Sequence, residues 1–322
     1  MKLSIIIVSW NVQQDLVRCL RSIEENRPCA EYEIIVVDNA SSDGTVDCIR
    51  RDFPDVAVIA NKENRGFAAA NNQGIKKSRG RYFLFLNPDT IVHPHSLDAL
   101  VEFMDKNGDV GACGPKLLNE DGTIQPSTRH FPTFRGALYR HTAFRFLWIF
   151  RGEYEKFLMK AFKYDREMDV DEVTGAALMV RRSVIKQVGD MDESFFMYYE
   201  EVDLCYRIKQ AGWRTVFIPG PVITHLGGRS AEQISVLNRV IMLTSLLTFF
   251  RKHRGKITTA IFNCVFKPAV ILGNICTIAF GIITYIFARV ALSKRTRKKT
   301  AARVKNSAIM LWKYSWQLLF RI

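Results

Sequence analysis

Between residues 3 and 86 four short apolar runs alternate with segments of helical spacing, and this alternation restricts the chain to few folds. Leu3 to Val8, Glu33 to Val37, Val56 to Ala60 and Tyr82 to Leu86 are β-branched or aromatic runs of strand length. Between them, Leu16, Leu20 and Ile23 ahead of Pro28, the stretch Thr45 to Arg51, and residues 67–78 carry helical patterns. Strands with continuous apolar cores, separated by helices, imply an α/β fold of Rossmann-like type, with a mostly parallel sheet covered on both faces. Ligands of such sheets bind beyond the carboxyl ends of the strands. The polar clusters Ser9 to Asn11, Asp38-Asn39 and Asn87-Pro88-Asp89 fall at those ends.

Beyond residue 110 the pattern loosens. Gly111 to Leu118, Val173 to Val180 and Thr215 to Ile218 read as strands, and Glu200 to Ala211 and Ile234 to His253 as helices. The aromatic and basic stretch among them is the expected place for a variable substrate. We therefore expect a first half over 1–110, a second half over 111–256 that binds the variable substrate, and a separate tail over 257–322.

That tail holds the charge. The protein has 46 Lys and Arg against 32 Asp and Glu, but 15 of the basic residues and none of the acidic ones lie in 251–322. The first 250 residues thus carry 31 basic against 32 acidic side chains. A nucleic-acid-binding protein needs its positive field on the binding domain itself, so no nucleic-acid partner is expected. Residues 268–288 contain no charge over 21 positions, about the 20 residues that cross a bilayer core. The basic flanks on both sides would both be kept cytoplasmic, which a single crossing cannot satisfy. The expectation is a tail that is peripheral or re-entrant on the cytoplasmic face of the membrane, drawn by anionic lipid; a helix buried against the body is the alternative. The first residues lack a signal-peptide core. The seven cysteines contain no C-x-x-C pair and read as reduced thiols.

Several residues carry chemistry. Asp38, at a strand end, can accept a hydrogen bond from a ribose hydroxyl or a base N–H, although such an Asp is often only a turn or cap. Asn64-Arg65-Gly66-Phe67, followed by three alanines and Asn71-Asn72, opens a helix whose amino end favours an anion, with Arg65 available to a diphosphate. Asp89 projects from a buried strand as a ligand for a hard divalent cation. Glu200, Glu201 and Asp203 put three acids in four positions at a helix start, flanked by aromatics. Acids there often only compensate the helix dipole, but partial burial raises a carboxylate toward the range of a usable general base.

Together these motifs resemble one family. Ile5 to Asn11, Val36 to Thr45, Asn64 to Phe67, Asn87 to Asp89, Gly114 to Leu118 with Asp121-Gly122, and Glu200 to Leu204 with Arg207 occur in the order found in family 2 glycosyltransferases. The middle section is similar to their bacterial rhamnosyltransferase-like branch. The resemblance covers roughly residues 3–250 and implies a GT-A fold with inverting transfer of a sugar from a nucleoside diphosphate sugar, a dTDP- or UDP-sugar, to a hydroxyl of a glycan or polyprenyl-linked acceptor. It implies donor contacts by Ser9, Asn11, Asp38, Arg65, Asn72, Asn87 and Asp89, and acceptor-side roles for Gly175, Glu200 and Asp203. It also implies Mg²⁺ or Mn²⁺ held by Asp89 with His225, and Glu201 as the general base. Two positions depart from the family pattern: Asn87 stands where the metal motif has its first acid, and Glu201 where the base is Asp. A nucleotidyltransferase would need a glycine-rich basic loop after the first strand, which Ser9 to Gln14 lacks. A non-catalytic membrane scaffold would not need Asp38, Asp89 and Glu201.

Overall fold

The strand Leu3–Ser9 (β1) has all seven residues buried. It pairs in parallel with Tyr32–Asp38 (β2) on one side and Tyr82–Leu86 (β4) on the other, with Leu3 opposite both Tyr32 and Tyr82. Ala57–Ala60 (β3) continues the parallel order beyond β2. Helices cover both faces, as continuous apolar strands require. Leu16, Leu20 and Ile23 of helix α1 (Gln13–Glu25) and Ile49 of α2 (Thr45–Asp52) pack on Ile5, Ile7 and Val36. Ala68 and Ala70 of α3 (Phe67–Lys77) pack on the opposite face, with Ile6, Val8 and Val37.

The computed structural model describes residues 1–227, 235–287 and 294–316 of the 322. They form a sheet unit, residues 1–131 and 158–233, and a helical unit, residues 132–157 and 234–322. The main sheet runs β3-β2-β1-β4-β11-β6-β12-β5, where β5 is Thr90–Val92, β6 Val110–Leu118, β11 Ala177–Arg181 and β12 Arg214–His225. Between β5 and β6 lies helix α4, Ser96–Lys106. Short strands β7 (Ile124–Gln125) and β9 (Met168–Asp169) add to the edges of β6 and β12.

Two expected strands come out differently. The run 173–180 splits at Thr174 to Ala176 into β10 (Glu172–Val173) and β11. β10 leaves the main sheet to pair with β8 (Thr128–Arg129), while β11 runs antiparallel to β4. Thr174 N fixes the corner by donating to Ser127 O at 2.9 Å. The run 215–218, expected to stop at Pro219, continues to His225 because the register shift between Ile218 and Val222 absorbs Pro219-Gly220-Pro221. His225 then lies opposite Thr90.

The helical unit contains α5 (Phe134–His141), a 3₁₀ turn at Ala143–Leu147, α6 (Arg151–Phe157), α9 (Ser235–His253), α10 (Lys256–Phe287) and α11 (Lys294–Trp316). Residues 132–157 and 234–256 join the 257–322 tail here because Phe134 meets both Phe250 and Phe262 at ring separations of 4.5 Å. α10 is the one described helix long and apolar enough to cross a membrane. Phe262, Phe266, Val270 and Asn274 on one side of it are buried, whereas Ile257, Ile261, Val265, Leu272 and Ile275 on another are exposed, Ile257 by 79%. All seven cysteines are free thiols. Between β11 and β12 lie α7 (Arg182–Val188) and α8 (Glu200–Gln210).

Candidate active site

At the carboxyl ends of β1 and β2, Ser9 and Asp38 are register partners and both fully buried. Among the described residues, Ser9 Oγ and Asp38 Oδ1 have no hydrogen-bond partner. Buried polar atoms are almost always paired, so two orphans on neighbouring strand ends mark where a polar ligand belongs. The other Asp38 oxygen accepts from Ser41 N at 2.8 Å, closing the turn. Asn11, in the left-handed region at φ 52°, accepts from Ser42 N at 2.7 Å and donates its own amide to Ser41 Oγ at 2.9 Å. It thereby pins the loop after β1 to the loop after β2.

Asn39 reaches onward, donating to Gly66 O at 3.0 Å. Gly66 has φ +83°, and a Cβ there would collide with Phe196 O. Only glycine lets the 196 loop approach so closely, and Phe67 N donates to that same carbonyl at 2.7 Å. Arg65 keeps its side chain exposed at the amino end of α3.

Asn87, after β4, is tied to the β11 corner by its amide, which donates to Ala176 O at 3.0 Å. Its Nδ2 lies 3.3 Å from His225 Nε2, and Asp89 Oδ1 lies 3.3 Å from the same nitrogen. His225 Nδ1 is 2.7 Å from Gln125 Oε1, an atom that can only accept. That contact puts a proton on Nδ1 and turns Nε2 toward Asn87 and Asp89. One carboxylate oxygen and one imidazole nitrogen side by side fit a divalent cation. Among the described residues no group of three His, Cys, Asp or Glu side chains could hold an ion, so such an ion needs ligands from the substrate. Gln125 also donates to His225 O at 3.1 Å.

The acids of α8 come next. Tyr198 and Tyr199 both have positive φ, 67° and 69°, just before the helix begins at Glu200. Two consecutive non-glycine residues held there store strain of the kind that collects at functional sites. Glu200 is buried and Glu201 half-buried, and each has a buried Oε2 without a hydrogen-bond partner among the described residues. Burial, then the charge of Glu201, push the Glu200 carboxyl well above the usual carboxylate range. Burial raises Glu201 as well, against backbone hydrogen bonds and the Arg129 charge, which hold it down. Gly175, at the β10–β11 corner, lies against the Glu201 stem; a Cβ there would sit 3.6 Å from Glu201 Cβ and 3.8 Å from the Phe67 ring.

These contacts join Asp38, Gly66, Phe67, Gly175, Glu201, Asn87, Asp89 and His225 around one set of strand ends. Two expected residues have other duties. Asn72 donates to Met191 O at 2.8 Å and to Glu193 Oε1 at 3.0 Å, and accepts from Met191 N at 3.0 Å, so its amide ties α3 to the 191–193 loop. Asp203 is fully buried and pairs with Arg207 at 2.8 Å; Arg207 in turn donates to Val188 O and Asp190 O. That pair braces the loop leading into α8. The sequence reading missed Gln125, Arg129, Tyr198 and Tyr199. Only the aromatic flank of the acids hinted at the tyrosines.

The profile described as Glycosyl transferase family 2 matches residues 4–189. N-acetylglucosaminyl-diphospho-decaprenol L-rhamnosyltransferase of Mycobacterium tuberculosis is 30% identical over 69% of this chain and 75% of its own length. The low-salt glycan biosynthesis hexosyltransferase Agl10 of Haloferax volcanii is 29% identical over 65% of this chain and 62% of its own. Among solved structures, mannosyltransferase PcManGT from Pyrobaculum calidifontis, in complex with GDP-Man and Mn²⁺, superposes with a TM-score of 0.57 at 17% identity, over 97% of this chain and 88% of that one.

Proposed function

The chain belongs to glycosyl transferase family 2 and is a glycosyltransferase of GT-A fold, and from that premise we propose that it transfers a sugar, with inversion, from a nucleoside diphosphate donor to a lipid-linked saccharide. The donor favoured is dTDP-rhamnose, with UDP-sugars next, because an L-rhamnosyltransferase stands among the relatives. That relative's name includes a diphospho-decaprenol acceptor, which supports a polyprenyl-linked acceptor here, in cell-surface glycan synthesis. The observation that carries the reading is that Glu201, with a buried oxygen unpartnered among the described residues, packs on Gly175, while the next residue, Ala176, accepts from the amide of Asn87, whose side chain lies beside the Asp89–His225 pair.

In the reaction, Glu201 takes the proton of the acceptor hydroxyl, and the acceptor oxygen forms its bond to the anomeric carbon from the side opposite the donor diphosphate. The bond from that carbon to the diphosphate oxygen breaks, and its electron pair leaves with the nucleoside diphosphate. Burial favours Glu201 as a base by raising its affinity for the proton. Asp38 and Ser9 hold the nucleoside, and Arg65 faces the diphosphate. Asp89 and His225 would hold Mg²⁺ or Mn²⁺ together with donor phosphates, and the ion would supply positive charge on the leaving-group side.

We place the enzyme on the cytoplasmic face of the membrane, peripheral or re-entrant, because α10 turns an apolar face outward beside a basic sequence that anionic lipid attracts. Offering nucleotide sugars one at a time with a membrane extract tests the assignment. The expected result is release of nucleoside diphosphate that depends on the extract. Absence of release with every donor, or synthesis of a nucleotide sugar from a sugar phosphate and nucleoside triphosphate, contradicts it.

A further inference from the structure

The helical unit contains two acids, Glu153 and Glu155, against 21 Lys and Arg. Both acids are engaged locally, Glu155 with Arg151 at 2.8 Å and Glu153 with Lys156 at 4.0 Å. Away from them, three arginines gather about a buried histidine. Arg239 of α9 donates to Asn274 Oδ1 of α10 at 3.1 Å, and Arg145 from the 3₁₀ turn donates to Thr277 Oγ1 at 3.4 Å. Asn274 and Thr277 are three residues apart on one helix, so the two guanidiniums are anchored on adjacent positions of the same face. Arg140, next in sequence to His141 on α5, donates toward Met242 Sδ at 3.9 Å. His141 is buried, and among the described residues its Nε2 has no hydrogen-bond partner. Burial first, then the positive charges of Arg140, Arg239 and Arg145, hold the imidazole well below its usual value. Burial and Arg145 likewise lower Arg239.

A half-buried guanidinium beside others of its own sign is costly unless an anion joins it. Arg145 is exposed and Arg140 and Arg239 half-buried, so an anion can reach the group from outside. The surroundings are apolar. Phe146, Leu147, Trp148 and Ile149 are exposed, Leu147 by 68% and Trp148 by 65%, and Phe146 meets Phe280 of α10 at a ring separation of 6.1 Å. Leu272 and Ile275 beside Asn274 are exposed as well. Gly273 lets the turn and α10 pack backbone to backbone, since a Cβ there would sit 3.0 Å from Ala143 N. The cations and the apolar patch are thus fixed to one another.

We propose that Arg140, Arg145 and Arg239 form a binding site for the phosphate or diphosphate end of a membrane lipid, whose chain lies on the exposed surface of 146–149 and α10. Guanidinium groups suit phosphate oxygens through paired, charge-assisted hydrogen bonds. The inference deepens the lipid-linked-acceptor part of the function proposed above and rests on it for the choice of a lipid over a free anion.

The test uses the full-length protein and vesicles, and needs no sugar transfer. Binding is measured to phosphatidylcholine vesicles containing a few per cent of long-chain isoprenyl phosphate, and to others with the same charge supplied by phosphatidylglycerol. Three proteins are compared: the wild type, R140Q/R145Q/R239Q, and a tail control, K294Q/R295Q/R297Q. The expected result is a loss on the order of a hundredfold for the arginine variant on isoprenyl phosphate. Its loss on phosphatidylglycerol should be smaller, and the tail control should lose equally on both. Equal loss by the two variants on both vesicles, or unchanged binding by the arginine variant, overturns the site. Inorganic pyrophosphate binding as tightly as the isoprenyl phosphate vesicles overturns its assignment to a lipid. If the triple variant fails to fold, the exposed Arg145→Gln is judged by the same comparison, with a few-fold selective loss expected. Release of nucleoside diphosphate to a soluble acceptor, followed in the same proteins, tests the transferase reading separately.

Discussion

In the sheet unit the apolar strands Leu3–Ser9 and Tyr82–Leu86 are wholly covered, whereas in the helical unit one side of Lys256–Phe287 leaves Ile257, Ile261, Val265 and Leu272 in the open. The buried charges differ in the same manner. The sheet unit concentrates carboxyls at Glu200 and Glu201, with Arg129 opposing the rise at Glu201, and the helical unit concentrates guanidiniums about His141. Apolar surface and unmatched charge both cost free energy in water. The first unit has covered its apolar strands and keeps a buried acid pair; the second keeps exposed apolar surface together with concentrated positive charge.

The comparison breaks first at Glu201. Glu201→Gln keeps the shape of the side chain but cannot take a proton, so turnover should fall by on the order of 10²–10⁴-fold with donor affinity unchanged. Near-normal turnover would move the base to Glu200. The metal pair comes next. Gln125→Ala frees the His225 ring, and Mn²⁺ affinity in the presence of nucleoside diphosphate, followed by titration, should fall about 10–100-fold. Tight binding of Mn²⁺ by the nucleotide-free protein would count against an ion held by Asp89 and His225 alone.

The helical unit should respond separately. I257E/I261E/V265E puts charge on the open face of α10, and partition onto anionic vesicles should fall on the order of tenfold, while nucleoside diphosphate release to a soluble acceptor stays the same. Substitution is a cleaner probe than truncation after residue 256, which would strip Phe262 from Phe134 and Phe250. A joint loss of vesicle binding and soluble-acceptor turnover would erase the division between the units.

The smallest effects concern protonation. Glu201 must be ionised to act and its carboxyl is raised by burial, so kcat/KM should fall on acidification at a pH above the ordinary Glu value of about 4.3. Removing the Arg129 charge, which holds Glu201 down, should move that limb to higher pH in Arg129→Gln. Glu200 has the opposite bearing on stability. Its folded-state pKa is raised well above that of the unfolded chain, so the stability available with the proton bound is lost as pH rises through the folded value. Glu200→Gln should therefore melt higher than wild type near pH 8, and the gain should vanish below the ordinary Glu range.

The central strands and the acids were legible in the sequence because they are local: apolar runs show as such, and Asp38, Asp89 and Glu201 sit in short motifs. What escaped depends on distant pairing. The break of the 173–180 run at Gly175 follows from Ser127 and Glu201, which are 48 and 26 residues away. The extension of β12 to His225 follows from a bulge that lets Pro219-Gly220-Pro221 pass. Gln125, which sets the His225 tautomer from 100 residues away, lies in no recognisable motif. Asn72 and Asp203 lie within motifs, yet their polar atoms brace the 188–193 loop. The arginine cluster of the helical unit is assembled from α5, the 3₁₀ turn and α9, and read as scattered positive charge along the chain.

The central claim is a single displacement, with Glu201 on the acceptor side and Asp89 and His225 on the leaving-group side. The anomeric configuration of the product made by the full-length enzyme from a donor of known configuration, read by NMR before any rearrangement, tests it most directly. A new linkage of inverted configuration at the transferred carbon is expected. A product that retains the donor's configuration would require a second displacement and would contradict the role assigned to Glu201.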